Sequence, residues 1–165
     1  MGVAKALELG HQIIACASTG NAASSLAGIS ASVGLNSVIF VPRDAPRAKV
    51  AQLLVHGAQV FLLRGSYDQA FDLCLEAVQE FGWYSRNTAH NPYLSEGKKT
   101  VALEIGEQLR WRAPDLVFVS VGDGCIIGGL WKGFHDLLQM GFIERMPRLV
   151  GVQAEGCQPV KRAWE

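Results

Sequence analysis

Residues 13–28 read "IIACASTGNAASSLAG": five apolar residues, four small polar ones, then a stretch with helical spacing. An unbroken apolar run of this length suits a strand covered on both faces. Ser18, Thr19, Gly20 and Asn21 then form a polar corner, and Ser, Thr and Asn are all good N-terminal caps for a helix starting near Asn21. Strand, polar corner and helix follow one another directly. Repetition of that order would set the fold class.

The order repeats. Val38–Val41, Val60–Leu63, Trp83–Arg86, Leu116–Val121 and Leu149–Ala154 are further candidate strands after Ile13–Ala17. In "SYDQAFDLCLEAVQEF" (66–81), Phe71, Cys74, Leu75, Val78 and Phe81 share one helical stripe, and Ser66 with Gln69 has the spacing of a capping box. In "GLWKGFHDLLQMG" (129–141), Leu130, Phe134, Leu137 and Leu138 do the same, and Gly141 marks a stop. The alternation predicts an α/β fold, a parallel sheet with helices on both faces and right-handed crossovers. The polar, proline-containing stretch "RNTAHNPYLSEGKK" (86–99) reads as the passage from a four-strand lobe to a second lobe with two strands.

Composition narrows the function. The 165 residues are 49% hydrophobic, with Lys+Arg and Asp+Glu both at 15, so no basic footprint for nucleic acid or an anionic membrane is present. No apolar run spans a bilayer, and the start "MGVAKALELG" lacks the pattern of an export signal; the expected location is cytoplasmic. Cys16, Cys74, Cys125 and Cys157 form no C-x-x-C pair and read as reduced thiols, and His11, His56, His90 and His135 show no metal-ligand spacing. No metal is expected.

In open parallel sheets, ligands sit beyond the carboxyl ends of the strands. Three polar corners fall there. At Ser18–Asn21 spacing alone leaves two readings, an ordinary capping turn and a seat for a carboxylate or phosphate on the unpaired amides of a helix start. In "SVGDGCIIGGLWKGF" (120–134), Gly122, Gly124, Gly128 and Gly129 read either as a glycine-rich turn without a ligand or as a loop whose backbone amides approach phosphate oxygens. Ile127 stands where a G-x-G-x-x-G fingerprint needs its third glycine, and Asp123 would repel a phosphate unless it points away. The third corner is Glu155-Gly156-Cys157, where Glu155 reads as a solvated charge or as an acceptor for a sugar hydroxyl.

Taken in order, "ASTGNAASSLAG", "VPRDAPRAKVAQLLVHGAQVFLLRGSYDQAF", "NTAHNPYLSEGKKTVALEIGEQL", the loop after "VFVSVGDG" and "PRLVGVQAEG" resemble the fold-type II pyridoxal-phosphate enzymes, in their threonine synthase branch. The resemblance covers nearly the whole chain. It implies pyridoxal 5′-phosphate as cofactor and elimination or replacement on a small amino acid, O-phosphohomoserine or a relative. It also implies that Asn21 bonds the phenolic oxygen of the cofactor ring and that Ser18, Thr19, Gly20 and Asn21 cradle the substrate. Gly122, Asp123, Gly124, Cys125 and Ile126 would form the phosphate cup. On this reading residues 1–12 end a large-lobe helix, 13–90 form a small α/β lobe, and 91–165 form part of the large lobe.

The departures matter as much. The family's Schiff-base lysine stands in a Ser-Phe-Lys-Asp-Arg type segment that has no match here, and Lys5 lies inside a helix rather than before one, so no catalytic residue is assigned. The polar partner of the cofactor ring nitrogen is also unmatched. Leu94 stands where threonine synthases commonly place an arginine, a role that Arg86, Lys98 or Lys99 would have to fill. The expectation is therefore a partial enzyme, inactive alone and self-associating through exposed apolar surface. The other readings are a non-catalytic lobe that binds amino acids or anions, and an NAD-dependent oxidoreductase suggested only by the glycine loop and Glu155.

Overall fold

The strands and helices alternate as the apolar runs do. A computed structural model describes every residue except Ala89. It divides the chain into two units, Met1–Asn91 and Pro92–Glu165. The first contains α1 (Gly2–Glu8), β1 (Ile13–Ala17), α2 (Asn21–Ser32), β2 (Asn36–Pro42), α3 (Arg47–Val55), β3 (Gln59–Leu63), α4 (Tyr67–Phe81) and β4 (Tyr84–Ser85). Its strands form a parallel sheet in the order β3-β2-β1-β4.

The two faces of this sheet explain its unbroken apolar runs. Ile14, Cys16, Ile39 and Val41 pack with Val3, Ala23, Leu26, Ala27 and Leu53 of α1, α2 and α3. Ala15, Ala17, Val38 and Phe40 pack on the other face with Ala70 and Cys74 of α4. Neither alternate set faces water. β3 differs: Phe61 and Leu62 remain 48% and 51% exposed, because an edge strand has a neighbour on one side only.

α4 shows its sequence logic directly. The Gln69 amide donates to Ser66 Oγ at 3.2 Å, the Ser66 amide donates to Gln69 Oε1 at 2.9 Å, and Gly82 ends the helix with φ of 66°. Cys74 lies fully buried on its inner face, whereas Phe81, at the end of the expected stripe, is exposed and stacks on Trp83.

The second unit contains α5 (Tyr93–Lys98), α6 (Thr100–Gln108), β5 (Leu116–Ser120), α7 (Cys125–Gln139), β6 (Arg148–Val152) and α8 (Pro159–Trp164). β5 and β6 pair in parallel, with Val119 opposite Gly151. Ala102, Val119, Leu130, Phe134, Leu137 and Ile143 form the core between the pair, α6 and α7. On the opposite face of the strands, Leu116, Phe118 and Val152 are exposed.

α7 lies close to the α5–α6 junction because glycines occupy its contact face. A Cβ at Gly129 would stand 2.7 Å from Lys98 Cβ, and one at Gly133 would stand 2.7 Å from Ala102 Cβ and clash with the Lys99 carbonyl oxygen. The same approach assembles a charge network. Lys99 Nζ reaches Asp136 Oδ2 at 2.8 Å and Glu96 Oε2 at 3.1 Å, and Glu96 also pairs with Lys132. The Lys99 hydrogen bond holds the Asp136 carboxyl below the usual carboxylate range.

A depressed folded pKa contributes stability above the unfolded value and loses it as pH falls through the folded one. Lys99→Met should cost about 0.5–1 kcal/mol at neutral pH, since the network is half-exposed. The gap between variant and parent should begin to close as pH falls below about 4 and narrow further through the lower folded value. Urea unfolding at pH 7 and pH 3 measures both values. An unchanged gap in acid would show that the cost comes from packing instead.

Among the described residues, no helix is long and apolar enough to cross a membrane, and no three His, Cys, Asp or Glu side chains gather as metal ligands.

Candidate functional site

The corner Ser18–Asn21 lies where β1 ends and α2 begins. The Ser18 amide donates to the Phe40 carbonyl at 3.3 Å, which ties the corner to β2. Gly20 is the helix N-cap in an extended conformation, and its carbonyl accepts from Ala23 and Ser24. Ser18 Oγ accepts from the Gly20 amide at 3.3 Å. The amides of Thr19, Asn21 and Ala22 have no acceptor among the described residues. Those of Asn21 and Ala22 are orphan donors of a helix start, aligned with the positive end of its dipole, and Thr19 precedes the cap. The Asn21 side chain is exposed and caps nothing.

What holds the corner was not foreseen. Asn87 is 2% exposed, and its Oδ1 accepts from the Ala17 amide at 2.8 Å while its Nδ2 donates to Cys74 Sγ at 3.3 Å. The Tyr67 hydroxyl donates to the Ala17 carbonyl at 3.2 Å. Both polar groups of the last strand residue are thus fixed by side chains 50 and 70 positions away. The only signal in the sequence was a polar stretch around Asn87, which reads as a lobe boundary.

Burial pushes the Cys16 thiol up to about 12, and burial also raises Cys74. Thiolate is the reactive form, so both thiols beneath the corner are inert. Cys157 is exposed and Cys125 half-buried. A thiol–disulfide reagent at pH 8 should label Cys157 and Cys125 in the native chain and reach Cys16 and Cys74 only after unfolding. Peptide mapping checks the assignment, and native labelling of Cys16 would contradict the packing.

The second corner, Gly122–Ile126, joins β5 to α7 in the other unit. Gly124 adopts φ of 80°, a left-handed turn that a side chain would strain. The amides of Gly124, Ile126 and Ile127 have no acceptor among the described residues. The Cys125 amide does have one: it donates to Asp123 Oδ1 at 2.9 Å. Asp123 therefore folds back onto the loop rather than pointing away from it. Gln153, the residue after β6, steadies the corner by donating to the Val121 carbonyl at 3.0 Å, a contact without a sequence signal.

Glu155-Gly156-Cys157 forms a turn closed by the Cys157 amide on the Ala154 carbonyl, and its residues are exposed. Of the three cations considered in place of an arginine at 94, Lys99 is committed to Glu96 and Asp136. Lys5 lies within α1 and pairs with Glu8 at 2.6 Å.

Glycine packing tests whether a phosphate-bearing cofactor fits. A Cβ at Gly20, Gly122 or Gly128 would meet no atom within 4 Å, so internal packing does not demand glycine at these positions. Open space and unpaired amides lie together at each corner, as an anionic group requires. Asp123 is the one element of the second loop that works against the fit.

Comparison with known proteins gives the family and the fold. A family model described as pyridoxal-phosphate dependent enzyme matches residues 2–165. The chain is 39% identical over 165 residues to threonine synthase of Methanocaldococcus jannaschii, covering 99% of this chain and 40% of that protein. It is 40% identical over 164 residues to threonine synthase of Methanosarcina acetivorans, with 99% and 40% covered. It spans about two fifths of the length of these curated relatives. Among solved structures, threonine deaminase isoform 2 from Solanum lycopersicum superposes with a TM-score of 0.74 at 22% identity, covering 91% of this chain and 41% of that one. Serine racemase from Dictyostelium discoideum gives 0.74 at 20% identity, with 95% and 48% covered. These two show the fold. The family match over nearly every residue carries the assignment: the chain belongs to the pyridoxal-phosphate dependent enzymes.

Proposed function

We propose that the chain supplies two binding corners of a threonine-synthase-like enzyme acting by elimination and replacement on a small amino acid, O-phosphohomoserine or a relative. The observation that carries this reading is the pairing of unpaired amides with open glycine space at the carboxyl ends of β1 and β5. Ser18, Thr19 and Gly20 would take the substrate carboxylate on the first turn of α2. Asn21 would serve both the substrate and the phenolic oxygen of the cofactor ring. Gly122 to Ile126 would take the cofactor phosphate. The bound pyridoxal 5′-phosphate would supply an electron sink for the substrate α-carbon. The chain's own part is to bind, orient and exclude water around that carbon.

The chain alone is proposed to be inactive, because none of its lysines stands in the segment that carries the family's Schiff-base lysine. Pyridoxal 5′-phosphate followed by borohydride and peptide mapping should leave no single lysine modified stoichiometrically. O-phosphohomoserine should yield no threonine. One stoichiometric lysine, or threonine release, would overturn the proposal of inactivity.

A second reading, a non-catalytic lobe for amino acids or anions, draws support from Leu94 and from the commitment of Lys99 within its network. Calorimetry with L-threonine and O-phospho-L-homoserine, each with and without pyridoxine 5′-phosphate, separates the two. Binding that ignores the cofactor analogue favours the second. Self-association is also proposed, through the face bearing Leu116, Phe118 and Val152, where Phe118 is 68% exposed. Sedimentation velocity showing a concentration-independent monomer would exclude it.

A further inference from the structure

We propose that the second unit carries a separate site for a free amino acid with an aromatic side chain, in the cleft between the turn after α6 and the loop after α7. The cleft has a volume of about 870 Å³ and opens at the amino end of β5, whereas the Gly122–Ile126 loop follows its carboxyl end. That size suits a small metabolite. The site lies wholly within residues 109–145 and does not depend on the reading of the polar corners.

One wall is aromatic. Arg110 and Trp111 adopt φ of 55° and 63°, the positive values found outside glycine among the described residues. The Trp111 amide closes this turn on the Gly106 carbonyl at 2.7 Å. Trp111 meets Phe142 with ring centroids 4.7 Å apart and planes at 38°. Both rings line the cleft, yet they remain 40% and 48% exposed. Internal packing leaves this apolar surface uncovered, and a planar ring is its natural complement.

Charge selects the rest of the ligand. Four charged side chains line the cleft: Arg112, Asp115, Glu144 and Arg145. Arg145 donates to Asp115 Oδ1 at 2.5 Å, so these two charges cancel. Arg112 and Glu144 pair neither with each other nor, through their side chains, with any other described residue. One unspent cation and one unspent anion beside two rings match a carboxylate, an ammonium and an aromatic side chain. A purely anionic ligand would be repelled by Glu144, and a purely cationic one by Arg112. A zwitterion satisfies both.

The test is an NMR titration of the full chain, read at the Trp111 indole N–H, whose resonance is the one missing from Trp111→Phe. L-Phenylalanine should shift it saturably. 3-Phenylpropionate, which lacks the ammonium, and phenethylamine, which lacks the carboxylate, should each bind about tenfold more weakly. L-Alanine, which lacks the ring, should leave the resonance in place. Arg112→Gln and Glu144→Gln alter exposed side chains, so both variants should fold. Arg112→Gln should weaken L-phenylalanine and 3-phenylpropionate about tenfold and spare phenethylamine. Glu144→Gln should weaken L-phenylalanine and phenethylamine and spare 3-phenylpropionate. No saturable shift with L-phenylalanine overturns the proposal. Equal affinity for L-phenylalanine and its two analogues overturns it as well, because the ring alone would then be adhering. Parental affinity for L-phenylalanine in both variants does the same.

Discussion

Gly133→Ala should destabilise the second unit by about 3 kcal/mol or more, at the upper end of overpacking substitutions. The cause is local and steric. A Cβ there would stand 2.7 Å from Ala102 Cβ and 3.2 Å from the Lys99 carbonyl carbon, with the carbonyl oxygen closer still. Two of these atoms are backbone, so no side chain can rotate out of the way. α7 must move from the α5–α6 junction, and Phe134, which is fully buried next to Gly133, moves with it. The Lys99–Asp136 pair spans the same junction and lengthens. The control is Gly128→Ala, which lies in the same helix and meets nothing within 4 Å. There the usual helix preference for alanine acts alone, and a gain of up to about 1 kcal/mol is expected. Urea unfolding followed by circular dichroism compares the two. Similar midpoints for both variants would refute the close approach of α7.

This contrast marks what could be read in advance. Ser66 and Gln69 were legible because a capping box is a rule of four consecutive residues, and Gly141 because a left-handed stop is a rule of one. The run Ile13–Ala17 announced a strand with two covered faces, since residues of both parities are apolar. The same logic overstated β3, where Phe61 and Leu62 are apolar yet exposed; edge position depends on strand order, which no local pattern encodes.

The candidate corners were found because glycines, small polar residues and strand ends are local features. Their supports were not. Asn87 and Tyr67 act on Ala17 across 70 and 50 residues, and Gln153 acts on Val121 across 32. Asp123 was visible as a charge in an awkward place, but its bond to the Cys125 amide depends on how the loop turns at Gly124. The polar strand ends were legible; the side chains that hold them in place were not.

Asn87→Ala is the corresponding test for the first unit, with an expected loss of about 2–3 kcal/mol. The substitution leaves the Ala17 amide buried without an acceptor and removes the Nδ2 contact to Cys74. An unmet buried donor costs its full desolvation, which exceeds the net value of the bond itself. Ala17 immediately precedes Ser18, so relaxation of the β1 end displaces the corner as well, and under the proposed function affinity for amino acids should fall along with stability. Cys74 should then react with thiol reagents in the native chain, whereas in the parent it is fully buried. Asn87→Asp separates the hydrogen bond from packing. It preserves the shape and the acceptor for Ala17, but it buries a carboxylate whose pKa must rise. A raised folded pKa gives a penalty that is absent below the unfolded value and grows as pH climbs through the folded one. The aspartate variant should therefore approach the parent at about pH 4 and fall away from it at pH 7, while the alanine variant trails at both. Hydrogen exchange at the Ala17 amide reads the effect at its source. Parental protection of that amide in the alanine variant would mean that Asn87 does not hold the corner.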